Sequence, residues 1–107
     1  MGMLDERERA FENLFAHDED LRFRAQIRRN RMIGRWAAAR LGKSGAQAEA
    51  YVAEIVAAGF EGKRGEGVVT RIEADLASGT HAVDANEIRA KMATFLVEAV
   101  EELRKEG

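Results

Sequence analysis

Two groups of residues in this chain have the types and spacing to do chemistry. Arg24, Arg28, Arg31 and Arg35 recur at intervals of four, three and four, which lines their guanidinium groups along one side of a helix. Such a line attracts anions, either carboxylates on an acidic protein or the phosphates of a nucleic acid. Leu41-Gly-Lys-Ser-Gly45 matches the end of a phosphate-binding loop, in which amides, a lysine and a hydroxyl cradle a polyphosphate. The full pattern needs glycine at position 37, where this chain has Ala37, and it needs a strand in front. A helical pattern stands there instead. The plainer reading is an interhelical turn, with Lys43 and Ser44 forming at most a weak phosphate or nucleotide contact at a helix start.

Other reactive groups are sparse. The chain has no cysteine, which excludes disulfides, thiolate metal sites and a cysteine nucleophile. Its two histidines, His17 and His81, lack the spacing of a metal site, so no metal is expected. No serine, histidine and acid form a recognisable triad, so no catalytic residue is assigned and the chain reads as a non-enzyme. His17 stands where its protonation could tune a hinge near neutral pH, but an ordinary exposed linker histidine is the plainer reading.

The elements that must position these residues are helices. Proline is absent, and Ala, Glu, Arg and Leu dominate, so helices can run unbroken over the 107 residues of what should be one all-α domain. The start, Met1-Gly-Met-Leu-Asp-Glu-Arg, holds no continuous apolar run, and none elsewhere approaches a membrane span. Gly2 suggests myristoylation, but Glu6 stands where that motif wants Ser or Thr. These features predict a cytoplasmic, soluble protein with no direct membrane insertion. The net charge of −2 conceals an asymmetry: eight basic residues and no acid between Arg22 and Lys43, with acids in excess beyond Ser44. Part of that basic stretch should be neutralised by acidic neighbours inside the fold, leaving either an ordinary mixed surface or a patch that steers an acidic partner.

Punctuation divides the chain into an N-terminal segment, 1–17, and a four-helix bundle, 18–107. Asp18 is a plausible cap for the first long helix, and Gly42 supplies a left-handed stop. Ser44-Gly-Ala-Gln47 reads as a capping box for the second helix, which Gly59 ends. The stretch from Gly59 to Gly67 holds four glycines in nine residues and reads as a flexible loop. A third helix should run from about Glu66 to Ser78, stopping at Gly79. Asp84-Ala-Asn-Glu87 should launch a fourth, to about Lys105.

Apolar positions keep helical time. Ala48, Tyr51, Val52 and Ile55 share one face; so do Val69, Ile72 and Leu76, and so do Ile88, Met92, Phe95, Ala99 and Leu103. The first long helix has two apolar lines, Phe23/Ile27/Gly34/Ala38/Leu41 and Leu21/Ala25/Met32/Trp36. A helix apolar on two sides sits between two neighbours or keeps one side for a partner. Gly34 costs about 1 kcal/mol of helix propensity, which points to a close backbone approach, and Trp36 reads as a core anchor.

The segment before the bundle places Leu4, Phe11, Leu14 and Phe15 near one face, with Asp5 and Arg9 one turn apart. At about 12–15 residues an isolated helix is marginal in water, so this arm should be mobile and partly helical, folding fully on docking. An equal alternative is that its phenylalanines fold back onto the bundle.

Asp5-Glu-Arg-Glu-Arg-Ala-Phe-Glu-Asn-Leu-Phe-Ala-His, Arg28-Arg-Asn-Arg-Met-Ile-Gly-Arg-Trp-Ala-Ala and Leu41-Gly-Lys-Ser-Gly-Ala-Gln-Ala-Glu-Ala-Tyr-Val together resemble the zeta subunit of alphaproteobacterial F1F0-ATP synthase. The likeness extends over nearly the whole chain and is thinnest from Gly59 to Gly67 and at the extreme termini. The resemblance implies a four-helix bundle with a mobile inhibitory arm, similar in role to the mitochondrial ATPase inhibitor. It implies that the arm enters an interface between alpha and beta subunits near the gamma rotor and stops ATP hydrolysis. The positions it marks run from Asp5 to Ala16, with Phe11, Leu14 and Phe15 as the apolar wedge and Arg7 and Arg9 pairing carboxylates beside Asp5. It places the protein peripherally on the F1 sector at the cytoplasmic face of the inner membrane. No cofactor is required, although weak ADP or ATP binding is implied. Two other readings stay open on the residues alone: a small adenine-nucleotide sensor, and a basic-helix nucleic-acid binder, which the acidic balance disfavours.

Overall fold

The computed structural model describes residues 19–63, 65–79 and 82–106, which form four helices. They are α1 (Glu19–Arg40), α2 (Gly45–Ala58), α3 (Glu66–Ala77) and α4 (Ala85–Glu106). No strand occurs among the described residues. The N-terminal segment, the Asp18 cap, His17 and His81 lie outside them.

Local signals set most boundaries. Gly42 takes φ 75°, and the Lys43 amide donates back to the Ala38 carbonyl at 2.9 Å, closing α1 with the left-handed stop that its sequence predicts. Asp84 caps α4 through its carboxylate, which accepts the Glu87 amide at 2.8 Å. Two signals act differently. The Ser44 hydroxyl makes no cap bond, because Gly45 at the first helical position takes φ 56°, and the following amides turn out of line with the side chain. Gly59 keeps a right-handed φ of −65°, so α2 unwinds through tight turns, Phe60 amide to Ala57 and Glu61 amide to Ala58, before Gly62 turns left-handed. The glycine-rich stretch also ends early, since Glu66 and Gly67 already belong to α3.

The helices pack as their stripes dictate. Tyr51, Val52 and Ile55 of α2, Val69, Ile72 and Leu76 of α3, and Ile88 and Met92 of α4 are buried as expected. Full burial of a side chain such as Ile55, Ile72 or Ile88 is worth ~1.5–3 kcal/mol, so these positions decide the packing. The apolar faces are wider than one line: Val68 joins the core, and Leu96 and Val100 are buried beside Ala99 and Leu103.

The double-sided character of α1 has a direct explanation. Ile33, Ala37 and Ala38 enter the main core with α2, α3 and α4, whereas Ala25, with Leu21 against it, closes a second cluster with Leu96, Val100 and Leu103 of α4. The N-terminal half of α1 therefore meets the C-terminal half of α4, so the two run antiparallel. On its other side α1 meets α2, also antiparallel, with Asn30 beside Gly59 and Gly34 beside Val52 and Ile55. A Cβ at position 34 would stand 3.3 Å from the Val52 Cα, so glycine is what lets the two backbones approach. Trp36 packs against the main core half-buried, its ring covered by the Arg40 guanidinium at 4.7 Å.

Candidate interaction surface

The arginine line does form a line, but its members have different fates. Arg24, Arg31 and Arg35 are exposed; Arg24 pairs loosely with Asp20, at 3.9 Å, and adds to the positive field at Glu106. Arg28 is drawn into the bundle. Its Nη1 donates to Glu106 Oε2 at 2.6 Å and its Nη2 to Glu106 Oε1 at 3.0 Å, while Nη1 also reaches Glu102 at 3.3 Å. This hydrogen-bonded pairing raises the Arg28 pKa and lowers that of Glu106. The members of the line that remain exposed are Arg24, Arg31 and Arg35.

Further ion pairs tie the other helices. Arg71 of α3 donates to Glu54 of α2 at 2.7 Å and to Asp75 at 2.8 Å, and the Tyr51 hydroxyl donates to the same Asp75 oxygen at 2.7 Å. Burial raises the Tyr51 pKa, reinforced by the bond to Asp75. Arg89 of α4 pairs with Glu66 of α3 at 2.8 Å and lowers its pKa. Between α2 and α3 lies an open groove of ≈ 700 Å³, walled by Ala58, Gly67, Thr70 and Ala74 with Glu61 on its rim. Two of its acids, Glu54 and Glu66, are the ones already held by arginines.

Lys43 and Ser44 sit at the start of α2 as the sequence suggests. The Lys43 ammonium lies 5.8 Å from the centre of the Tyr51 ring, and Ser44 is exposed. Asp5, Arg7, Arg9, Phe11, Leu14 and Phe15 fall outside the described residues. Among the described residues no group of three or more His, Cys, Asp or Glu side chains is placed to hold a metal. No helix among them is long and apolar enough to cross a membrane.

Two features escape a sequence reading. Arg29 and Asn30 are buried, and Arg29 Nε donates to Asn30 Oδ1 at 3.1 Å. Among the described residues no buried side-chain nitrogen or oxygen lacks a partner, so the pair meets the condition for burying polar groups. Beside them Phe23 and Phe60 remain 48% and 64% exposed, with ring centres 6.0 Å apart and planes tilted by 37°. The available signal for Phe60 is an aromatic residue set among glycines, which have nothing to bury it with.

A packed helical core with ion pairs between the helices defines a small all-helical domain. The family pattern of ATPase inhibitor subunit zeta matches residues 1–102, and the chain belongs to that family. No curated protein and no solved structure matches it.

Proposed function

We propose that this protein restrains ATP hydrolysis by an F1-type ATPase, acting as a regulator and not as an enzyme. The observation that carries this is the family match, which spans the N-terminal segment as well as the bundle. In this reading residues 1–17 enter an interface between alpha and beta subunits near gamma. Phe11, Leu14 and Phe15 supply the apolar wedge, and Asp5, Arg7 and Arg9 meet charges at the entrance. This is helix-in-groove recognition, in which buried aromatics must outweigh the free energy of ordering the segment.

The bundle serves as the mount. The antiparallel α1/α4 pair, tied by Arg28 and Glu106, fixes the point from which the arm departs, and Arg24, Arg31 and Arg35 steer it to an acidic surface. Peripheral attachment to the F1 sector follows, with no cofactor required; weak nucleotide binding at Lys43 and Ser44 is secondary. A photo-cross-linking residue in place of Phe11 tests the reading. Adducts with alpha or beta are expected, and adducts with neither, under conditions where the protein binds the enzyme, would overturn the insertion.

A further inference from the structure

We draw no further inference here: the strongest candidate, the open groove between α2 and α3 walled by Ala58, Gly67, Thr70 and Ala74, has two of its three glutamates already held by Arg71 and Arg89, and nothing in the structure shows what covers it.

Discussion

Arg28 and Glu106 tie the N-terminal half of α1 to the end of α4 through two hydrogen bonds of 2.6 and 3.0 Å. The pair joins residues 78 positions apart in sequence, at the end of the molecule where the main core has given way to the small cluster of Ala25, Leu96, Val100 and Leu103. It also removes one arginine from the stripe offered to a partner. One contact thus ties two helices and takes one member out of the arginine line.

Acid should weaken the ties at both ends of α4. The Glu106 and Glu66 carboxyls are held below their ordinary value of 4.5 by Arg28 and Arg89. A depressed folded pKa contributes stability that is present above about pH 4.5 and is lost as pH falls through the folded value. Glu106→Gln or Glu66→Gln should lower Tm slightly at pH 7 and converge on the parent once acid has protonated the carboxylates. Thermal melts followed by circular dichroism across that range check this; parallel curves would mean the pairs are fully screened by solvent.

Alkali should act through Tyr51. Its folded pKa lies above the ordinary 10.0, so its contribution is fully present below pH 10 and declines as pH rises toward the folded value. Tyr51→Phe, which loses the bond to Asp75, should cost about 1 kcal/mol at pH 8 and flatten the stability curve above about pH 10. Denaturant midpoints at the two pH values measure both effects.

Gly34 should tolerate alanine but not a large side chain. Alanine there gains about 1 kcal/mol of helix propensity but places its Cβ 3.3 Å from Val52 Cα and 3.4 Å from Ile55 Cβ, so the net change should be small. Gly34→Leu overpacks the same contact and should cost ~1–3 kcal/mol. Urea unfolding of the two variants separates a close approach of α1 and α2 from a simple weakness in the helix.

The arginine stripe should govern association more than residence. Arg31→Glu with Arg35→Glu should slow binding to the ATPase on the order of tenfold and reduce its salt dependence, leaving the dissociation rate nearly unchanged. Surface-based binding kinetics at two ionic strengths report this. Equal rates for parent and variant would remove steering from the account.

Much of this architecture is legible in the residues. Ile88, Met92, Ala99 and Leu103 announce the buried face of α4, and Gly42 and Asp84 mark their helix ends by backbone and side-chain chemistry that acts within a few residues. The two apolar lines of α1 announce its two neighbours but miss the centre of its buried face, since Ile33 and Ala37, both fully buried, belong to neither line. What escapes depends on distant parts of the chain meeting. Arg29 lies among five other arginines between Arg22 and Arg35 and looks like one more solvated charge, until the Gly59–Gly65 turn closes against it and Asn30. Phe23 keeps the period of an apolar face, yet its neighbour is a turn of glycines with only Phe60 to offer, so it stays half exposed. Ser44 has the right residue type and spacing for a cap, but the φ of Gly45 turns the amides aside. Asp5, Arg7, Arg9, Phe11, Leu14 and Phe15 lie outside the described residues, and the roles proposed for them depend on a partner's surface, which no single chain encodes.

The central claim is that the N-terminal segment does the inhibiting and the bundle only holds it in place. The direct measurement is ATP hydrolysis by the matching F1 enzyme, titrated with the full-length protein and with a chain lacking Met1 to Ala16. Progressive inhibition by the first and none by the second is expected, with both showing the same helical circular dichroism from the bundle. Equal inhibition by the two, or hydrolysis unchanged by either, would contradict it.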